Sequence, residues 1–327
     1  MKSLKFILVL ACVSIASFAW CQNKVGLLLD SYVIDRWRTD ESLFKQKILE
    51  LGGECLVEIP HGNPDEQVRL GKKLIDQGVD VLVVVPTDAI RAAAIVEAAK
   101  AAKIPVISYD RMIASNDVTF YISYDNNKVG TMQAQYARER MPSGNYILIN
   151  GPKSDINSIA FRNGQMSVLK KEIDDGKIRV IGDFILDDWS ELEAIMKIEE
   201  FLSTSGLKPD AIVAANDALA TGAIQVLPVE LVGKVVVTGQ DAERIALRNI
   251  VAGNQSMTIY KPIKPLAYQA AEIAMKLAKG ENVQGTKIRY GDYEVKAILL
   301  EQIIVDKNNY RETIVKDGHL SYQEIKN

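Results

Sequence analysis

The chain has 327 residues, with 39 Lys and Arg against 42 Asp and Glu, a formal net charge of −3, and 48% hydrophobic residues. This balance offers no surplus of positive charge to a phosphate backbone, so nucleic acid is not an expected partner. Of three cysteines, Cys12 and Cys21 lie in or beside the N-terminal segment, which leaves Cys55 alone and no intrachain disulfide framework.

Lys2 and Lys5 precede an apolar run over residues 6–19, too short to span a bilayer comfortably and ending in the small-residue pattern Ser17-Phe18-Ala19. Residues 1–20 therefore read as a secretory signal peptide, with lipid attachment through Cys21 or an N-terminal membrane anchor as the alternatives. Cleavage leaves roughly 305 residues, enough for two domains of ordinary size, and a net charge of about −5. No later stretch approaches about eighteen uninterrupted apolar residues, so a soluble mature chain is expected, periplasmic or secreted.

From there strand-like and helix-like segments alternate. Residues 24–30 (KVGLLLD), 54–59, 79–85 (VDVLVVV) and 104–109 are short runs rich in Val, Ile and Leu, the composition of strands buried on both faces. Between the second and third, Asn63-Pro64-Asp65-Glu66 combines a capping residue, a proline at the first helical position and a Glu three after the cap, which starts a helix ahead of Val68. A second series follows at residues 146–150, 178–184, 211–214, 235–239 and 257–260. This is the pattern of βαβ units and parallel sheets. The halves echo each other: Val-Asp-Val-Leu-Val from residue 79 resembles Pro-Asp-Ala-Ile-Val from residue 209, and residues 104–110 resemble 235–241. Asp110 and Asp241 then fall at equivalent strand ends in two similar lobes.

Polar and aromatic residues stand just past the strand ends: Arg36 and Trp37, Asp110 and Arg111, Asp155 and Asn157, Trp189, Asn216, Asp241 and Lys261. In an open α/β sheet the carboxyl ends of the strands converge on the ligand crevice. Carboxylates, an amide and guanidinium groups can engage paired hydroxyls, and indoles offer flat apolar faces, a mixture that suits a small uncharged sugar ring. Plainer readings stand beside this one. Trp37 and Trp189 serve equally as core aromatics, although both fall in segments read as loops at the crevice edge. Asp110-Arg111 reads as a surface ion pair, Asp155, Asn157, Asn216 and Asp241 as helix caps, and Lys261 as the mark of a domain crossing.

Chemistry is mostly excluded. The chain has no GxGxxG, GxxxxGK[ST], HExxH or GxSxG, and its two histidines, His61 and His319, are far apart, so neither a cofactor, a metal nor a hydrolase triad is expected. Paired carboxylates could serve a glycosidase, but the Arg beside Asp110 would keep that group ionised. A binding protein is expected, not an enzyme.

At these residues the chain resembles the sugar-binding periplasmic proteins of the ribose and xylose type, most closely the D-xylose-binding proteins of bacterial ABC transporters. The matching stretches are Asp35-Arg36-Trp37, Tyr109-Asp110-Arg111-Met112, residues 120–130 (FYISYDNNKVG), Phe161-Arg162 with Gly164-Gln165-Met166, Ala215-Asn216-Asp217-Ala218, Gly239-Gln240-Asp241-Ala242 and residues 257–262 (MTIYKP). The likeness runs from about Lys24 to near the C-terminus and departs at Ile156 and Asp188. It implies a type I periplasmic binding protein: two Rossmann-like lobes, residues 24–126 plus 262–299 and 127–261 plus 300–327, with crossings near Asn126, Lys261 and Leu300. It further implies a monosaccharide ligand, a pentose such as D-xylose, clamped by hinge closure, and a chain that is a monomer when free. The membrane partner is then an ABC permease, or alternatively a sensor histidine kinase. A sugar-responsive repressor core would need an N-terminal helix-turn-helix, whereas here the first strand follows the signal segment directly.

Overall fold

The computed structural model describes residues 22–33 and 36–326. The proposed signal peptide, Cys21 and Asp35 lie outside the described residues.

Runs of β-branched residues form the centre of each half. In the first, β1 (Lys24–Leu28), α1 (Arg36–Glu50), β2 (Glu54–Glu58), α2 (Pro64–Asp76), β3 (Val81–Val84), α3 (Ala93–Ala101), β4 (Val106–Tyr109) and β5 (Phe120–Tyr124) alternate. In the second come α4 (Asn126–Arg140), β6 (Gly144–Asn150), α5 (Ile156–Asp174), β7 (Ile178–Ile185), α6 (Glu191–Ser205), β8 (Ala211–Ala214), α7 (Asp217–Gln225), β9 (Val236–Thr238), α8 (Arg244–Ala252) and β10 (Thr258–Tyr260). The chain then forms α9 (Ile263–Ala278), β11 (Thr286–Tyr290), β12 (Tyr293–Leu300), β13 (Ile303–Val305), a π-helical turn at Arg311–Val315, and α10 (Tyr322–Lys326).

The first sheet has the order β11-β12-β5-β4-β3-β1-β2, and the second the order β7-β6-β8-β9. All pairs are parallel except the β11–β12 hairpin. Residues 257–260 depart from the simple parallel expectation. They give β10, which pairs antiparallel with β13 and touches the second sheet through one parallel bridge, Gln240 to Ile259. Counting that bridge, both sheets run in the order second, first, third, fourth, fifth strand of their own series, and the inner ends of the two series face each other. Sequence reasoning passes over β5 and the β11–β12 hairpin, because Tyr, Ser and alternating charges dilute their apolar pattern.

Each large sheet is covered on both faces. In the first, Val25, Leu27, Val83 and Ile107 pack with Phe44, Ile48, Leu266 and Ala270 of α1 and α9, while Leu28, Leu82 and Val84 face Leu70, Leu74 and Ile95 of α2 and α3. In the second, Ile147, Ile149 and Ile212 face α6 and α7, and Leu148 and Val213 face α4 and α5. Burying each such side chain contributes about 1.5–3 kcal/mol. Helix α2 starts as its sequence indicates: Asn63 Oδ1 accepts from the N–H groups of Asp65 and Glu66 at 3.0 Å, with Pro64 at the first position. Glu66 pairs with Arg69.

Helices α4 and α5 cross at backbone contact. A Cβ on Gly130 would lie 1.9 Å from Phe161 O, and one on Gly164 would lie 2.1 Å from Asn127 O. Only glycine permits this approach, and it sets the placement of Phe161.

Candidate ligand-binding cleft

Two strand-end turns carry the central carboxylates. Asp110, after β4, has φ 60°, and Asp241, after β9, has φ 95°. Asp is among the few non-glycine residues that enter this left-handed region readily. Each turn is held alike: Asp110 N donates to Ile122 O and Asp241 N to Ile259 O, both at 2.8 Å. The Asp110 carbonyl oxygen also accepts from Ser123 Oγ at 2.7 Å, Tyr121 Oη at 3.1 Å and Asn157 Nδ2 at 3.1 Å. The equivalence expected from the repeated sequence is thus visible in backbone conformation and bonding.

Two cations join these turns, and a third, Arg111, pairs with carboxylates beside them. Arg36 lies 3.3 Å from Asp110 and 3.4 Å from Asp241, and Lys261 lies 3.9 Å from Asp110 and 3.3 Å from Asp241. Arg111 contacts Asp30 at 2.9 Å and Asp155 at 3.0 Å. Arg36–Asp241 and Arg111–Asp155 each link a residue following a strand of one sheet to a residue following a strand of the other. Burial opposes the charge on Arg36, yet Asp110, Asp40 and Asp241 outweigh it and raise its pKa well above the ordinary value. Burial likewise works against ionised Asp110, but Arg36, Lys261 and Arg111 hold its carboxyl below the usual range. At Asp155 burial prevails over Arg111 and the pKa is raised.

Aromatic rings form the walls. Trp37 is 1% exposed and packs with the core of the first half, and the Arg36 and Arg111 guanidinium groups lie 4.7 and 5.6 Å from its ring. It stands in the first turn of α1, not in a loop, so the core reading and the cleft position both apply. Trp189 does stand in a loop. Its Nε1 donates to Asp155 Oδ2 at 3.2 Å, and its ring meets Phe161 edge-on at 6.2 Å. Gly151 lies against the indole, where a Cβ would approach within 2.6 Å.

One hollow is lined by Arg36, Trp37, Asp110, Arg111, Asp155, Asn157, Trp189, Asn216, Asp241 and Lys261, all ten residues nominated from the sequence, together with Phe161 and Gln240. The capping readings hold in part: Asp155 Oδ1 caps α5 through Asn157 N, and Asn216 Oδ1 caps α7 through Leu219 N. Asp241 caps no helix, since Glu243 occupies that position for α8. Asp110 and Arg111 are not a surface pair; both are buried. Among the described residues, Trp37 Nε1 and Gln240 Oε1 are buried with no hydrogen-bond partner, and Asp110 Oδ1 is buried with the Arg36 guanidinium at 3.3 Å as its nearest cation.

Sequence reasoning misses four contributors. Phe161 and Gln240 line the hollow. Asp40 holds Arg36 from behind at 3.3 Å and accepts from Tyr109 Oη, and Asp30 pairs with Arg111. The i,i+4 spacing of Asp40 from Arg36 and the strand-end position of Asp30 were the available signals.

A family model described as a periplasmic binding protein domain matches residues 25–282. The D-xylose-binding periplasmic protein of Escherichia coli is 42% identical over 304 residues, covering 92% of each chain. That of Haemophilus influenzae is 40% identical with the same coverage. A solved carbohydrate transporter solute-binding protein from Chloroflexus aurantiacus, in complex with D-glucose, matches at TM-score 0.85 and 28% identity over 93% of this chain and 98% of that one. With its paired sheets, facing strand ends and this match over most of its length, the chain belongs to the periplasmic binding protein family.

Proposed function

We propose that this protein binds one neutral monosaccharide, D-xylose, in the cleft and presents it to an ABC transporter at the membrane. The observation that carries the reading is the hollow itself, in which charged groups following strands of both sheets converge between aromatic walls with orphaned buried polar atoms among them. Buried polar atoms without partners are costly, and sugar hydroxyls donate and accept at once. Asn216 engages only its oxygen in the cap, which leaves its NH₂ group for a ligand. The relatives named for D-xylose support the choice of sugar.

In this reading residues 24–126 plus 262–299 form one lobe and 127–261 plus 300–327 the other, with crossings near Asn126, Lys261 and Leu300. Sheet membership supports the division, because β5, β10 and β12 end beside those three points. Arg36, Asp110 and Arg111 then belong to one lobe and Asp155, Asn157, Asn216 and Asp241 to the other. An open form binds sugar through one lobe; closure adds the other's hydrogen bonds, and ligand shifts the population toward closure. Micromolar affinity corresponds to about −8 kcal/mol. The mature chain acts as a periplasmic monomer.

A thermal-shift comparison of D-xylose, ribose, arabinose, glucose and galactose tests this, because a ligand that binds only the folded state raises the melting temperature. D-xylose is expected to give the largest rise. No shift with any of the five sugars would overturn sugar binding; a larger shift with ribose or arabinose would overturn the assignment of D-xylose, and a larger shift with glucose or galactose would overturn the pentose assignment.

A further inference from the structure

Two buried glutamines, one behind each sheet's contribution to the cleft, do the same geometric task. Gln67 on α2 is buried, and its Nε2 donates to Leu29 O at 3.0 Å and Val85 O at 2.8 Å, carbonyls just past the ends of the neighbouring strands β1 and β3. Its Oε1 accepts from Thr87 N at 2.9 Å. Gln133 on α4 is also buried, and its Nε2 donates to Ala215 O and Gly239 O, both at 3.0 Å, just past the ends of the neighbouring strands β8 and β9. A chain of amides fixes its orientation: Asn150 Nδ2 donates to Gln165 Oε1 at 3.0 Å, and Gln165 Nε2 donates to Gln133 Oε1 at 3.3 Å.

Where neighbouring strands part to open a crevice, their ladder ends and the last carbonyls lose their partners. Buried carbonyls must be satisfied. A primary amide is the uncharged side chain that supplies two N–H donors from one nitrogen, so a glutamine can hold two parting strands at a set separation without bringing a charge. The next residue in each case belongs to the cleft machinery. Leu29 precedes Asp30, the partner of Arg111, and Val85 precedes Pro86, whose carbonyl accepts from Arg111. Ala215 precedes Asn216, and Gly239 precedes Gln240 and Asp241.

We propose that Gln67 and Gln133 are matched positioning residues that set the spacing of the strand ends in each half and thereby aim Arg111 from one side and Asn216 and Asp241 from the other. Neither glutamine lines the hollow; each acts through the backbone carbonyls it holds. The affinity part of this inference rests on the cleft being the sugar site, and a ligand-free measurement is independent of that reading.

The test uses the full mature chain with Gln133→Met, which keeps length and removes both donors, and Gln133→Glu, which keeps shape and replaces the NH₂ group by oxygen. Without ligand, amide hydrogen exchange at Leu219 and Asp241, both bonded in the affected turns, is expected to accelerate about tenfold in Gln133→Met relative to Val213 in the middle of β8. A merely structural role would accelerate all three together. With D-xylose, affinity should fall about tenfold in both variants, and in Gln133→Glu alone it should recover toward wild type between pH 8 and 5, as a protonated carboxyl regains one donor. Gln67→Met should weaken binding likewise. Uniform exchange in Gln133→Met would overturn the inference, as would D-xylose affinities within twofold of wild type in folded variants. If Gln133→Glu does not fold, Gln133→Met decides. Failure of the wild-type protein to bind D-xylose would refute the function proposed above, and the exchange comparison would still judge this one.

Discussion

Replacing Asp241 by Asn isolates the role of charge in closing the cleft. Asp241 Oδ1 lies 3.4 Å from Arg36 Nη1 and 3.3 Å from Lys261 Nζ, at a φ of 95°. Alanine would add backbone strain at that angle, whereas Asn tolerates it, so Asn removes the charge with little other change. The two cations keep other partners: Arg36 retains Asp40 and Asp110, and Lys261 retains Asp110. The unliganded fold should therefore survive. What is lost is an ionised acceptor for a sugar hydroxyl and one link between the halves. A hydrogen bond to a charged group contributes about 1.5–3 kcal/mol, which at 1.4 kcal/mol per decade predicts D-xylose binding weaker by roughly 10- to 150-fold. Isothermal titration calorimetry at 25 °C, with melting curves of the unliganded proteins alongside, measures it. A dissociation constant within twofold of wild type, in a variant that melts normally, would refute the assignment of Asp241 to the ligand.

Gly151→Ala should displace the Trp189 indole, since the added Cβ would come within 2.6 Å of it. The expected result is a shifted tryptophan emission and D-xylose affinity lower by about tenfold; unchanged emission and affinity would show the wall is set elsewhere. His319 gives a pH dependence. Burial, with Arg36 adding to it, outweighs the hydrogen bond to Ala242 O and holds its pKa below the ordinary 6.5. The folded state therefore takes up this proton less readily than the unfolded one, so the stability contributed by neutral His319 is full above pH 6.5 and lost as pH falls through the lowered value. Melting temperatures from pH 7.5 to 5.0 should fall less for His319→Gln than for wild type, and parallel curves would contradict the sign.

Much of the architecture was legible because strands buried on both faces must be apolar throughout, and such runs at residues 24–30, 79–85 and 211–214 admit little else. The Asn63-Pro64 cap was legible because its hydrogen bonds lie within three residues. The β11–β12 hairpin was not, since Thr286–Tyr290 carries charges on an exposed sheet edge. Nor was the helical setting of Trp37: Asp35 before α1 is a capping residue type, but Arg38 stands where a Glu or Gln would complete the capping box.

The sequence by itself determined which residues stand just beyond strand ends, and strand-end chemistry is a local property that repeats in both halves. Only the tertiary structure decided that Arg36 and Lys261 each reach both Asp110 and Asp241, that Asp155 caps a helix while holding Arg111 and Trp189, and that Phe161 closes the wall. Those contacts join residues from 20 to 205 positions apart, Lys261 with Asp241 and Arg36 with Asp241 being the extremes, or depend on two glycines letting helices touch. Chain order carries no distance information at that range until the sheets have packed and brought their ends together.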